Sequence, residues 1–145
     1  MRNSPVYIIS GGAGASGEQL TRTALAQFPE ADVDVVVIGH VESTAQIDDA
    51  IAQVIAAKGS IVHTLVNAEL RDYLTQRARM ENVSAIDAMG PLLTHLALRL
   101  HRQPLGQPGL FRKLREDYYK RIAAIEFAVD HDDGKREQAP DRRNL

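Results

Sequence analysis

The sequence predicts an α/β protein: a three-layer, doubly wound (Rossmann-like or flavodoxin-like) parallel sheet of about four strands, followed by a C-terminal aromatic helix. Four short apolar runs alternate with helical patterns, as in parallel strands joined by right-handed crossovers. The runs are apolar nearly throughout, which is typical of strands covered on both faces. A glycine-rich stretch, Ser10 to Gly17, follows the first run. We expect the strand order 2-1-3-4.

The first predicted strand is the β-branched and aromatic run Val6 to Ile9. After the glycine-rich stretch, apolar residues recur at helical spacing from near Glu18, and Pro29 ends that helix. A second, nearly all-apolar strand is predicted over Val33 to Ile38.

The second helix begins at a capping-box pattern, Ser43 with Gln46, and Lys58-Gly59 provides its stop. Ile61 to Val66 is the third predicted strand.

Asn67 is the expected N-cap of a third helix over residues 68–81. The fourth strand, Val83 to Ile86, ends at Asp87, and Gly90-Pro91 then opens a fourth helix. The apolar face of this helix consists of Leu92, Leu93, Leu96, Ala97 and Leu100.

The pattern changes after residue 103. Residues 1–103 form the predicted α/β domain, and residues 104–129 a proline- and glycine-rich connector with a basic, aromatic helix, Leu110 to Val129. Residues 130–145 are almost wholly polar and indicate a linker or tail.

Composition narrows the class of protein. A chain of 145 residues is expected to form one core. Its net charge of -2 argues against general binding of nucleic acid or membrane surfaces. The chain has no cysteine, no signal-sequence pattern and no apolar run of membrane-spanning length, so we expect a cytoplasmic location.

The glycine-rich stretch fits two phosphate-binding patterns only in part. Gly12, Gly14 and Gly17 satisfy G-x-G-x-x-G, but Gly39-His40 stand where a dinucleotide fold has its ribose-binding acid. The P-loop spacing is also present, but a carboxylate follows it at Glu18 instead of the required lysine. A structural turn, an anion or phosphoryl-group site and an NAD site therefore all stay open.

In a doubly wound sheet, ligands bind at the carboxyl ends of the strands. The candidate ligand-binding residues at that rim are Ser10, Gly12, Gly14, Ser16, Gly17, His40, Thr64 and Asp87. A nucleophile, base and orienting acid could be built from a serine, His40 and Asp87, although many parallel sheets permit such a set. His63, inside an apolar strand, is expected to be a hydrogen-bonded core histidine.

The last helix and the segment after it are candidates for contact with a partner or a second domain. The candidate contact residues are Tyr118, Arg121, Glu126, His131, Asp132 and Asp133. A metal site at the His-Asp-Asp cluster would need its donors to converge, but neighbouring side chains converge only in a tight turn. We therefore expect no metal site.

Several segments resemble the regulatory proteins of pyruvate, phosphate dikinase and phosphoenolpyruvate synthase. The most specific runs from Asp117 through Tyr-Tyr-Lys-Arg-Ile to His131-Asp-Asp-Gly134. The other segments are Tyr7-Ile-Ile-Ser-Gly-Gly, Thr64 to Leu74, Ile86-Asp87, Gly90-Pro-Leu-Leu93 and Pro108-Gly-Leu110. The first loop departs from the family's Ser-Asp-x-Thr-Gly-x-Thr: here it runs Ser10-Gly-Gly-Ala-Gly-Ala-Ser16, so the aspartate and the first threonine are missing and Ser16 keeps only a hydroxyl.

The resemblance implies a bifunctional regulator, a kinase and phosphorylase. Such proteins phosphorylate a threonine of the dikinase or synthase with ADP, and they remove the phosphate by phosphorolysis. The family's P-loop lies in a C-terminal domain, which would begin near Asn144-Leu145. The resemblance thus implies a non-catalytic N-terminal domain for recognition, dimerisation or ligand sensing, with no catalytic residue and no cofactor of its own, while ADP and phosphate serve the whole protein. The expected partners are the dikinase or synthase and a second copy of the chain.

Overall fold

A computed structural model describes the backbone of residues 2–131 and the side chains of residues 2–125. The chain divides into two compact units, Met1–Pro108 and Gly109–Leu145. The first unit contains the sheet, and in the second the described part is one helix.

The first unit holds a four-stranded parallel sheet in the order β2-β1-β3-β4, which confirms the predicted order. The strands are β1 (Val6–Ile9), β2 (Val35–Ile38), β3 (Ser60–His63) and β4 (Ala85–Asp87). Ile9 is in register with Ile38 on one side and with His63 on the other. The central strand β1 therefore delivers the glycine-rich stretch to the middle of the sheet's carboxyl-end rim.

Five helices follow or join the strands in the described part of the chain. They are α1 (Ala15–Leu25), α2 (Thr44–Ala57), α3 (Ala68–Met80), α4 (Gly90–Leu100) and α5 (Leu110–His131). The first of them begins three residues earlier than predicted, because Gly14 takes a left-handed conformation and directs the chain into the helix.

The ends of α2 follow the sequence pattern closely. The Ser43 Oγ accepts a hydrogen bond from the Gln46 amide at 3.3 Å, and the Gln46 Oε1 accepts one from the Ser43 amide at 3.1 Å. At the other end Lys58, rather than the glycine after it, takes the left-handed conformation. Gly59 is required for a different reason, since a Cβ there would lie 2.8 Å from the Pro5 carbonyl oxygen.

The helices cover the sheet on both faces. Ile9 belongs to a buried cluster that includes Ile51 of α2 and Leu74 of α3. Adjacent strand residues point to opposite faces, so Ile8 points the other way, where Gly17 of α1 lies close to it. This arrangement is the predicted three-layer α/β fold.

The predicted bounds of the third strand are wrong in detail. Residues 64–66 leave the third strand and form a loop, because β3 ends at His63. The apolar face of α4 is largely exposed: Leu92 is 54% exposed, Leu96 42% and Leu100 61%. Hydrophobic periodicity identifies the residues that share a face of a helix, but it does not determine whether another element covers that face.

No helix in the described part of the chain combines the length and the apolar character needed to cross a bilayer.

Candidate functional site

The start of the glycine-rich stretch is held by backbone pairing beyond the last residue of β1. The Ser10 amide donates to the Ile38 carbonyl at 3.1 Å, and the Ser10 carbonyl accepts from the Val41 amide at 3.0 Å. The Ser10 side chain is buried, and its Oγ accepts a hydrogen bond from the Gly12 amide at 3.0 Å. Ser10 therefore shapes the turn from within.

Helix α1 begins without a capping side chain. Gly14, the N-cap, has φ of 86°, and a Cβ there would lie 2.5 Å from Val37 Cγ1. In the part of the chain that the structure describes, no side chain caps this helix start, while Ser16 is exposed beside the first-turn amides. Free amides at a helix N-terminus attract anions. Glu18, in the same turn, opposes this and forms an ion pair with Arg22 at 3.0 Å.

Gly17 allows α1 to approach the sheet. A Cβ at this position would lie 2.7 Å from Ile8 Cγ2 and 3.3 Å from Thr64 Cγ2. The glycine thus has the close helix-to-strand packing role that the third glycine has in dinucleotide folds. It also places Thr64, on the loop after β3, beside the first turn of α1.

The loop after β2 is tied to the glycine-rich stretch. The His40 amide donates to the Gly12 carbonyl at 2.8 Å, and His40 has φ of 57°. The carbonyl of His40 accepts from the Gln46 side chain at 3.2 Å, so the same residue also contacts the start of α2. Its imidazole is exposed at the rim.

The Asp87 carboxylate binds backbone amides at the start of α4. Its Oδ1 accepts hydrogen bonds from the Met89 amide at 3.0 Å and the Gly90 amide at 2.6 Å. Its Oδ2 lies 3.7 Å from the Arg71 Nε, and Arg71 in turn donates to the Leu65 carbonyl at 3.3 Å. The carboxylate therefore joins β4, α4 and α3.

The structure does not assemble a catalytic triad from these residues. His40 follows β2 and Asp87 is the last residue of β4, so they lie at opposite ends of the strand order. Three strand spacings correspond to roughly 14 Å, too far for an orienting hydrogen bond. The loops after β1 and β2 do bring together four of the predicted residues, Ser10, Gly12, Gly14 and His40. Thr64 lies beside Gly17.

His63 is a core residue, as predicted, but its imidazole lacks one of the hydrogen bonds that a buried histidine is expected to make. Its side chain is 1% exposed, and its Nδ1 has no hydrogen-bond partner among the described residues. Burial lowers the pKa of His63 below its ordinary value of 6.5. The nearby Asp87 carboxylate raises the pKa by a smaller amount, and the Arg71 guanidinium lowers it further.

A cavity of about 210 Å³ lies at the rim of the first unit. It is bounded by the loops after β1, β2 and β3 and by the segment that follows α4. Its apolar lining consists of Val41, Leu65, Val66, Leu70 and Pro108. Among the residues that the structure describes, Glu42 is the one charged residue that lines it, and Asn67 adds a polar side chain. Sequence reasoning missed this cavity, since its walls come from four separate segments.

The remaining candidates belong to the second unit. Tyr118 is buried, its ring lies edge to face with that of Tyr119 at 5.7 Å, and Arg121 is exposed. The side chains of Glu126 and His131 lie outside the described residues, as do Asp132 and Asp133 entirely. Within the described residues, no group of three or more His, Asp or Glu side chains could hold a metal ion.

The fold and this rim define a class: a doubly wound α/β domain whose glycine-rich stretch and neighbouring loops meet at the carboxyl ends of its strands. The chain belongs to the kinase/pyrophosphorylase family, whose model matches residues 6–143. This match confirms the resemblance that the sequence shows to the dikinase and synthase regulators.

Three relatives carry the provisional name of pyruvate, phosphate dikinase regulatory protein. The one from Chloroflexus aurantiacus is 43% identical over 132 residues, which are 91% of this chain and 47% of the relative. The Carboxydothermus hydrogenoformans protein is 38% identical over 130 residues, which are 90% of this chain and 47% of the relative. The Desulfotalea psychrophila protein is 36% identical over 140 residues, which are 97% of this chain and 50% of the relative. The chain therefore spans about half the length of the relatives that it matches.

Proposed function

We propose that this chain is the recognition domain of a regulator that acts on pyruvate, phosphate dikinase or phosphoenolpyruvate synthase, and that it does not itself transfer phosphate. The observation that carries the proposal is the family match over residues 6–143, together with relatives named for regulation of the dikinase. In the proposed whole protein, ADP donates the phosphoryl group and phosphate removes it. A cytoplasmic location and a homodimer are part of the same proposal.

The chemistry of the α1 start supports a non-catalytic role. A P-loop needs a lysine for the phosphates and a hydroxyl for magnesium directly after its last glycine. Here Glu18 follows Gly17, and its carboxylate is paired with Arg22 within the same helix. A carboxylate at that position repels nucleotide phosphates instead of holding them, so this loop does not fit the nucleotide of a kinase reaction.

The test combines binding with catalysis. The purified chain is passed over immobilised dikinase and, separately, over immobilised synthase, and is then incubated with each enzyme and ADP. We expect retention by one enzyme and no incorporation of phosphate into its threonine. Phosphorylation of either enzyme by this chain alone would contradict the non-catalytic role, and retention by neither would contradict the recognition role.

A second candidate function is a phosphate- or nucleotide-binding domain that uses Ser10 to Gly17 itself. The uncapped N-terminus of α1 favours it, since its amides are free to bind an anion. Calorimetric titration with phosphate, ADP and NAD tests this function. Ser16→Asp should abolish binding by placing a competing carboxylate in the first turn, whereas Thr23→Asp, exposed further along α1, should leave it unchanged.

A further inference from the structure

The rim cavity differs in chemistry from the start of α1. Five apolar side chains form most of its walls, and Val41 and Leu65 among them belong to the buried core. Such a surface favours an apolar group, because burying that group removes its surface from water. A free phosphate would be repelled there, since the described part of the chain contributes one charged side chain to the lining, the acid Glu42.

The size of the cavity limits what can enter it. Apolar protein cavities of about 150 Å³ hold a benzene molecule, and sites for drug-sized ligands begin near 300 Å³. A volume of about 210 Å³ therefore suits one side chain of leucine or phenylalanine size. A whole dinucleotide does not fit.

Two glycines, Gly11 and Gly106, are among the residues that line the cavity. A Cβ at Gly11 would lie 3.1 Å from the Cβ of Pro108, so the absent side chain lets the proline ring come close to the loop after β1. Gly106 has φ of 70°, which turns the chain over the rim. The loop after β1 and the segment after α4 therefore lie close together beside the cavity.

Glu42 adds a charge preference at the edge. Its side chain is exposed, its amide donates to the Gln46 Oε1 at 2.6 Å, and its carboxylate forms no ion pair within the described residues. A cation beside the entering apolar group would find this carboxylate available. An acidic neighbour would be repelled by it.

We infer that this cavity is a docking pocket for a protein segment in which an apolar side chain stands next to a lysine or arginine. The inference rests on the proposed function, because it assigns a place and a chemistry to target recognition. It commits to a polypeptide rather than a nucleoside, since the walls are apolar and the one charged side chain that the described residues contribute is negative. The apolar side chain fills the cavity, and the basic residue pairs with Glu42 at its edge.

Peptide titrations followed by amide NMR shifts test the pocket directly. The probes are acetyl-Leu-Arg-amide, acetyl-Leu-Gln-amide and acetyl-Ala-Arg-amide, added to the isotope-labelled chain. We expect shifts at residues 41, 42, 65, 66, 70 and 106. Leu-Arg should bind about two- to five-fold more tightly than Leu-Gln, as for an exposed ion pair. The Ala-Arg peptide should bind about tenfold more weakly than Leu-Arg, because less apolar surface is buried.

Two variants separate shape from charge. Val66→Phe fills the cavity from a partly exposed wall position and should abolish the shifts, whereas Leu105→Phe, an exposed residue outside the lining, should leave them unchanged. Glu42→Gln should retain binding of Leu-Gln but remove the preference for arginine. Equal binding of all three peptides, or stronger shifts of the same amides by adenosine, would overturn the inference.

Retention on the immobilised enzyme then distinguishes the two proposals. If Leu105→Phe is retained and Val66→Phe is released, the pocket is the recognition site. Retention of both means that recognition occurs elsewhere, and the pocket inference is wrong although the proposed function stands. If the peptides bind as expected but neither enzyme retains the chain, the pocket chemistry stands and the proposed function is wrong.

Discussion

At the scale of single residues, the rim is organised by steric limits at its glycines. A methyl group at Gly14 would collide with Val37, and one at Gly17 would collide with Ile8. Only Gly14 also needs a positive φ. The two glycines are thus required for different reasons, although a G-x-G-x-x-G pattern treats them alike.

Replacing Gly17 with alanine should destabilise the protein. Alanine normally stabilises a helix interior relative to glycine, by about 1 kcal/mol. Here the added Cβ would meet Ile8 at 2.7 Å, so we expect a loss of about 1–3 kcal/mol in the free energy of unfolding. Urea denaturation measures it, with the exposed Ser16→Ala in the same helix as the control. A Gly17→Ala protein that is more stable than the native chain would contradict the packing role.

The buried His63 should make stability depend on pH. Because its pKa is lowered in the folded protein, the unfolded chain binds the proton more readily. The stability due to neutral His63 is therefore complete above pH 6.5 and falls, by about 1.4 kcal/mol per pH unit, as the pH drops from 6.5 toward the folded pKa.

Thermal unfolding between pH 7.5 and 5 measures this effect. His63→Leu should flatten the dependence over that range, and His95→Gln, on the exposed side of α4, should not. An unchanged pH profile in His63→Leu would show that another group is responsible.

At the scale of elements, Asp87 fixes where α4 begins. The helix lacks a side-chain cap at its N-cap residue Met89, and Asp87 instead accepts from the amides of Met89 and Gly90. A Cβ at Gly90 would lie 2.2 Å from the Asp87 Oδ2, so only glycine permits this approach. The sequence, in which Asp87 and Gly90 are both visible, predicted the helix start but not the hydrogen bonds that create it.

Substitutions at Asp87 should separate its hydrogen bonds from its charge. Asp87→Ala removes the acceptor for two amides and should cost about 1–3 kcal/mol. Asp87→Asn keeps an acceptor oxygen and loses only the ion pair with Arg71, so we expect a smaller loss. Chemical denaturation compares them, with Asp72→Ala, an exposed acid on α3, as the control. Equal losses in both variants would assign the effect to the ion pair.

The elements that local sequence specifies were predicted well. The capping box of α2, the Asn67 cap of α3 and the strand order all follow from neighbouring residues and crossover rules. The exposed face of α4, the unpaired Nδ1 of His63 and the rim cavity were not predicted. Each depends on which distant segment lies opposite a given side chain, and one sequence does not give that information.

At the scale of the whole molecule, the main hydrophobic core belongs to the first unit. Its buried members run from Tyr7 to Leu74, and they bring together β1, α2, β3 and α3. The rim cavity is also lined entirely by residues of Met1–Pro108. The described structure thus contains its core and its proposed recognition site within one unit.

A chain that ends at Pro108 should therefore fold. We expect circular dichroism typical of an α/β protein and well-dispersed amide NMR signals, because the core cluster lies within that range. The circular dichroism and NMR spectra of the intact chain serve as the reference. A random-coil spectrum for residues 1–108 would mean that the first unit needs the segment that follows it.

The position of β2 has a consequence for solubility. It pairs with β1 alone in the described sheet, so the outer edge of Val35 to Ile38 has no strand partner there. Such an edge can add strands from other molecules and start aggregation. Asp32 and Asp34 precede this edge, and both carboxylates pair with Arg2. Charged side chains beside an edge strand oppose its pairing with other chains, so we expect these residues to disfavour aggregation through β2.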